Sequence, residues 1–350
     1  MKMALLPLLA CPVCGGDLEF AALDDHPREG VELETGTLRC RRCQVEYQLV
    51  DGVPRLRLSD AMKDGRVAST AERFGFEWHR YPGPRPGVDR AIFLEEVQLP
   101  AAALAGRLTL DAGCGMGRFS LAALELGAEV VSVDLSDALT RLVPTMRETP
   151  RLHVVQGDLL RPPFKPAAFD LVFSHGVIHH TADTKGAFDR LAPLVKKGGK
   201  LSVWVYGTPG PWSSFKTNPL RSTRAWLRKV LPLVWVVVWA RQILSDSLRV
   251  VTTRMPFHLL YALCWPLTFL GAVPLLKYLT YYVDPQFGVR LIENFDWLAP
   301  PFQTKHTKEE VRGWFEGAGL RIVSQLAHGV VPKVGFLAER PGALAERPGP

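Results

Sequence analysis

The chain has 350 residues, 47% of them hydrophobic and 22% charged, which excludes a disordered protein and leaves room for one full α/β domain plus additions. Net charge is +7, but the excess sits in residues 207–303, with 10 Lys+Arg against 4 Asp+Glu, whereas residues 1–206 hold 25 against 26. A core domain built for nucleic acid would carry its basic excess elsewhere, so nucleic acid is not the favoured partner.

Four of the six cysteines form two C-x-x-C pairs, Cys11 with Cys14 and Cys40 with Cys43. Four thiolates at this spacing suit tetrahedral zinc, and a closed site of four cysteines is structural, with no open position for catalysis. The apolar run Ala4 to Ala10 is short for a secretion signal and Cys11 belongs to the metal pattern, so a cytoplasmic protein is expected. The segments LLACPVCGGDL and LRCRRCQVEYQLVDGVPRL, in a first unit of residues 1–58, resemble the zinc-ribbon family of small methyltransferase-activator proteins. Members of that family partner methyltransferases. Arg39, Arg41 and Arg42 are read as a solvated face rather than a phosphate site.

Residues 59–105 read as a linker, with turns marked by Pro82, Gly83, Pro84, Pro86 and Gly87. The aromatic cluster Phe74, Phe76, Trp78 and Tyr81 before them either packs on the core or forms a flap over a ligand.

The central stretch is LTLDAGCGMGRFSLAALELGAEVVSVDLS, Leu108 to Ser136. A strand runs into Asp111 and a loop with Gly113, Gly115 and Gly117. A helix through Phe119, Leu121, Ala122 and Leu126 follows, then a strand that ends at Asp134. Glycines let backbone approach a ligand closely, and a carboxylate on the strand tip accepts hydrogen bonds from both hydroxyls of a ribose, so this half-site is expected to hold an adenosine. The dinucleotide pattern G-x-G-x-x-G/A fails in both frames, at Arg118 and at Ser120. DAGCGMG instead resembles the first motif of class I S-adenosylmethionine (SAM) methyltransferases, where the loop wraps the methionine end.

The alternation continues with a helix over Leu135 to Thr149, a strand over Leu152 to Gln156, and a fourth strand over Phe169 to Ser174. FDLV followed by VIHH resembles the fourth-strand region of small-molecule methyltransferases. A helix over Thr184 to Val195, a turn at Lys197 to Lys200 and a strand over Leu201 to Tyr206 come next. After the insert, a capping box at Thr307 and Glu310 opens a helix that stops at Gly319. Strands near Leu320 to Gln325 and Val334 to Glu339 complete the sheet, and residues 341–350 read as a tail.

The resemblance implies an α/β, Rossmann-like seven-stranded methyltransferase sheet, with its SAM-binding core in residues 106–206 and its last elements in 304–340. It places Asp158 on the adenine amino group, with Asp111, Gly113, Gly115, Gly117, Asp134, Leu135, Leu159 and Ser174 completing the cofactor site. His180, then His179 and His175, lie at the carboxyl end of the fourth strand and are candidate general bases; the competing reading is that they pack or cap the next helix. Asp183 and Tyr206 are candidate pocket residues, and His306 an exposed neighbour of a helix cap.

Residues 207–303 interrupt the domain. They contain VLPLVWVVVWA, Val230 to Ala240, between Arg228-Lys229 and Arg241, and a charge-free run from Pro256 to Leu276. A span is disfavoured, because it would put the last strands on the wrong side of a membrane and because Pro266 and Pro274 would break its helix. Helices buried against the domain are the favoured reading, and helices lying on a membrane surface through residues 228–279, at the inner face, are the alternative. Both point to a hydrophobic substrate. The expected activity is SAM-dependent O- or C-methylation of a small, apolar acceptor. The alternatives are an RNA methyltransferase assisted by the ribbon, or a non-catalytic SAM-binding adaptor. Against amino-base methylation, Ser174-His-Gly-Val177 stands where such enzymes carry Asn/Asp-Pro-Pro-aromatic.

Overall fold

The computed structural model describes residues 1–21, 33–208, 231–273, 286–326 and 333–342; within residues 231–242 only the side chain of Ala240 is described. A 3-10 turn, Met3–Leu8, opens the chain. Four antiparallel strands follow, β1 (Leu18–Phe20), β2 (Gly36–Cys40), β3 (Glu46–Val50) and β4 (Val53–Pro54). Strict alternation in β3 turns Tyr47 and Leu49 inward. Asp51 and Gly52, with φ of 53° and 73°, make the tight turn into β4, the conformation that Asp-Gly favours between strands.

This small sheet sits on the rest of the chain. Leu56 N donates to Gln156 O at 2.8 Å and Arg55 bridges Gln156 in parallel, while Ala10 N donates to Pro163 O at 3.0 Å. Leu5, Leu9, Leu38 and Leu49 share one apolar core with Val155 and Phe164. The ribbon therefore covers the outermost strand of the main sheet, an edge that would otherwise offer unpaired backbone groups.

The stretch read as a linker is largely helical: α1 is Gly65–Arg80 and α2 is Pro86–Val97. Asp64 caps α1 through Arg66 N, and Pro86 opens α2, a position where its missing N–H is not needed. The apolar stripe of α1 is hard to see in the sequence because Arg73 and Glu77 occupy buried positions on it.

The main sheet has seven strands in the order β10-β11-β9-β8-β5-β6-β7. β5 (Leu108–Ala112), β6 (Glu129–Asp134), β7 (Leu152–Gln156), β8 (Phe169–His175) and β9 (Val195–Tyr206) run parallel to one another, whereas β11 (Lys333–Glu339) pairs antiparallel with both β9 and β10 (Arg321–Gln325). The turn expected at Lys197 to Lys200 lies inside β9, where Gly198 has φ 76° and the pairing jumps from Phe169↔Val195 to Leu171↔Lys200. α3 (Arg118–Glu125) and α5 (Thr184–Leu191) follow β5 and β8. The helix expected over 135–149 is split into a 3-10 turn, Asp137–Leu142, and α4 (Val143–Glu148), with Pro144 at the join. Thr307 and Glu310 form the expected reciprocal capping box on α9 (Lys308–Gly317).

The described part of the insert holds α6 (Leu231–Thr252), α7 (Phe257–Leu270) and α8 (Phe287–Leu298). Leu260, Cys264, Leu291 and Phe295 pack together, with Phe76 of α1 against them. Arg73 of α1 donates to the carbonyls of Thr252 (3.4 Å), Thr253 (3.1 Å), Met255 (2.7 Å) and Ala299 (3.1 Å), and Arg249 to those of Trp297 (3.0 Å) and Pro300 (2.6 Å). Two buried guanidiniums thus satisfy carbonyls that the ends of α6 and α8 leave open.

Pro266 does not break its helix; it lies inside α7, which ends at Leu270, so the run from Pro256 is not one long helix. Among the described residues no helix is long and apolar enough to cross a membrane. Arg228, Lys229, Val230, Pro274 to Lys277 and the tail from 343 lie outside the described residues, as do the side chains of Trp235, Trp239 and Arg241.

Candidate active site and cysteine centre

The Sγ atoms of Cys11, Cys14, Cys40 and Cys43 lie within 4.8 Å of one another. A Cβ on Gly16 would meet Cys40 Sγ at 3.1 Å and Cys14 Sγ at 3.2 Å, so glycine is what lets the first knuckle close over the sulfurs. Burial raises the Cys40 thiol, but the backbone N–H groups of Cys43 (3.5 Å) and Arg42 (3.4 Å) outweigh it and bring Cys40 to about 7. Four converging sulfurs with N–H donors on the thiolate form suit a tetrahedral thiophilic cation.

A cavity of about 620 Å³ opens at the carboxyl ends of the parallel strands. Its lining includes Asp111, Gly113, Asp134, Leu135, Asp158 and Leu159 together with Glu77, Trp78, His180, Tyr206, Asp296 and Trp297. Asp134 Oδ2 accepts from Gly115 N at 2.8 Å, and Oδ1 from Ser136 N at 2.8 Å and Ser136 Oγ at 2.7 Å. These bonds fix the carboxylate at the strand tip, and each oxygen keeps lone-pair capacity for a ligand hydroxyl. Burial raises Asp134 and Asp158, and it takes Asp111 to about 7 even though Ser120 Oγ donates to it at 2.6 Å.

Several expected residues sit elsewhere than the sequence suggested. Gly115 and Gly117 do not line the cavity: Gly115 lies under the Trp78 indole, whose Nε1 would be 3.0 Å from a Cβ, and Gly117 lies against Leu142. All three loop glycines have positive φ, at 92°, 53° and 90°, so the loop's own packing needs them. Ser174 is fully buried and donates to Ala112 O at 2.8 Å, tying β8 to β5 rather than reaching the cavity. Asp183 caps α5 through Gly186 N at 2.8 Å.

The three histidines separate because Ile178–His180 is a 3-10 turn, which sends consecutive side chains in different directions. His179 is fully buried outside the cavity, its ring 3.9 Å from the Tyr206 ring and tilted 37° to it, with no hydrogen bond on either ring nitrogen. His175 reaches the cavity, but its Nε2 is held by Ser202 Oγ at 2.8 Å, and burial lowers it to about 4. His180 donates from Nδ1 to Phe302 O at 2.8 Å, which fixes the tautomer and leaves Nε2 as an acceptor; burial lowers it to about 3, so it is neutral at pH 7. His306 stands beside the cap of α9, with Glu310 Oε1 at 2.8 Å.

Residues 110–203 match the family model described as a methyltransferase domain, and residues 2–52 that of a Trm112p-like protein. Residues 110–203 are a methyltransferase domain, and the ribbon is Trm112p-like. Over 106 residues the chain is 31% identical to an uncharacterized methyltransferase of Mycobacterium bovis, covering 30% of this chain and 54% of that protein. Over 111 residues it is 36% identical to a malonyl-acyl-carrier-protein O-methyltransferase of Legionella pneumophila, covering 31% and 38%. The chain spans about half the length of the curated relatives it matches, or less. A Haloferax volcanii complex containing the Trm112 methyltransferase activator aligns with 82% of this chain and 97% of that one, at 12% identity and a TM-score of 0.39.

Glu77, Glu293 and Asp296 were not foreseen as site residues. The available signal was Glu293 and Asp296 three positions apart, one turn of α8, a helix whose other polar residues are Arg290 and Asn294.

Proposed function

We propose that this chain transfers the methyl group of SAM to a small, apolar acceptor held between the methyltransferase domain and the helices of the insert. The observation that carries the reading is one continuous cavity, lined both by Asp134 and Asp158 at the ends of β6 and β7 and by aromatic side chains of α1 and α8. Asp134 would take the ribose hydroxyls, Asp158 the adenine edge, and Gly113 the methionine end. SAM supplies an electrophilic methyl carbon when bound. The chain's own part is alignment and exclusion of water, which the stacked Tyr206 and Trp297 rings, 4.8 Å apart and 6° from parallel, provide on one wall. His180 Nε2 is the acceptor placed to take a proton from the substrate, with Phe302 O holding its tautomer. The four cysteines would hold structural zinc.

The outer face of α6 and α7 exposes Leu244, Val250, Val251, Leu259, Trp265 and Phe269, and this favours a placement on a lipid surface, at the inner face of a membrane in the cytoplasm. An apolar acceptor would then enter from lipid. Isothermal titration of SAM tests the cofactor reading: Asp134→Ala should weaken binding about tenfold or more. Unchanged affinity would remove Asp134 from the site, and no binding by the parent protein would remove the function.

A further inference from the structure

The cavity that takes in the cofactor carboxylates is also lined by three more acids, Glu77 of α1 and Glu293 and Asp296 of α8. Glu77 is 2% exposed, and its carboxylate makes no hydrogen bond or ion pair with any described residue. Burial raises Glu77 well above the usual carboxylate range, with Asp296 and Glu293 adding to it; burial also takes Asp296 to about 6. A buried, unpaired carboxylate beside two others is costly in a protein that binds nothing there.

Arg249, which donates to Trp297 O and Pro300 O, lowers Asp296, and two other nearby cations are committed elsewhere. Lys333 Nζ lies 2.6 Å from Glu96 Oε1, and Arg118 lies 2.7 Å from Asp89 Oδ1. Asp296 Oδ2 receives the Tyr206 hydroxyl at 3.4 Å, which brings the acids together with the stacked Tyr206 and Trp297 rings, and Trp78 lines the same space. Carboxylates among aromatic faces make an environment that favours a positive charge.

We infer that the methyl acceptor carries a cationic amine, and that this amine seats on Glu77 with Glu293 and Asp296 around it. The inference rests on the methyltransferase reading of the cavity and specifies its substrate class. A neutral alcohol would hydrogen-bond to Glu77 but leave its charge uncompensated. A carboxylate would be repelled.

The test uses the full chain loaded with S-adenosylhomocysteine and three soluble probes of one shape, 2-phenylethylamine, 2-phenylethanol and 3-phenylpropionate, titrated calorimetrically at neutral pH. The amine is expected to bind at least about tenfold tighter than the alcohol, the propionate weakest, and Glu77→Gln to erase the amine's advantage while S-adenosylhomocysteine affinity stays the same. Equal binding of amine and alcohol overturns the inference, as does an advantage that survives in Glu77→Gln. A parallel fall in S-adenosylhomocysteine affinity also overturns it, since the acids would then serve the cofactor's own ammonium. If the parent protein fails to bind S-adenosylhomocysteine, the methyltransferase reading falls, and the same titrations on the unloaded chain decide the amine site alone.

Discussion

Val177 lies so close over Gly113 that a β-carbon on Gly113 would overlap its Cγ1. Val177 leads into the 3-10 turn that carries His180, and Gly113 opens the loop whose Gly115 N–H holds Asp134. The two halves of the proposed site are thus registered through one van der Waals contact. Gly113→Ala is expected to cost at least about 2 kcal/mol in urea unfolding, from the overlap together with φ of 92°. Adding Val177→Ala should return only part of that loss, because the backbone strain remains. Full recovery would show that φ at Gly113 carries no cost.

The buried histidines and carboxylates oppose one another as pH changes. His175 at about 4 and His180 at about 3 are depressed, so their stabilising contribution is present above the unfolded value near 6.5 and is lost as pH falls through the folded values. Asp111 at about 7 and Asp296 at about 6 are raised, so theirs is present below the unfolded value near 3.9 and is lost as pH rises through 6 and 7. Between those limits the two sets offset. Replacing His180 by Asn removes one histidine, so the variant should gain about 2 kcal/mol relative to the parent at pH 5 compared with pH 8. A difference independent of pH would mean that His180 titrates normally in the folded protein.

Purified protein should contain about one zinc per chain by elemental analysis, and Cys40→Ser should lose it and lower the melting temperature. The ribbon shares its core with Val155 and Phe164, so its loss should also loosen the edge at β7. A chelator-treated chain that contains no metal yet melts unchanged would refute a structural metal.

Liposomes containing anionic lipid should co-sediment the protein at low salt, and Val251→Glu combined with Phe269→Glu should reduce the bound fraction several-fold. Those side chains are 62% and 60% exposed, so the double variant should fold normally. Parent and variant remaining equally in the supernatant would leave the apolar face to a protein partner.

The seven strands, both cysteine knuckles and the Asp134 strand tip were legible in the sequence, because each rests on short-range patterns: alternation, C-x-x-C spacing, and glycines between strand and helix. α1 was not, since Arg73 and Glu77 interrupt its stripe for reasons that exist only once α6 and α8 are in place. The histidines illustrate the same limit. Three lie at one strand end with His180 ranked first, and the 3-10 turn decides that His180 faces the cavity while His179 is sealed beneath Tyr206. Whether the ribbon touches its own domain was also beyond local pattern. Leu56 and Gln156, one hundred residues apart, answer it.

Arg73 grips carbonyls on both sides of the insert's described helices from a helix that precedes the methyltransferase domain. The roof of the cavity is therefore composite, assembled from a helix that precedes the sheet in sequence and a segment inserted within it. An exchange that moved residues 207–303 into another methyltransferase scaffold would strand Thr252, Thr253, Met255 and Ala299 without their donor. Substrate range in such chains should be inherited as a pair, α1 with the insert, and chimeras that split the pair should bind the cofactor while losing the acceptor.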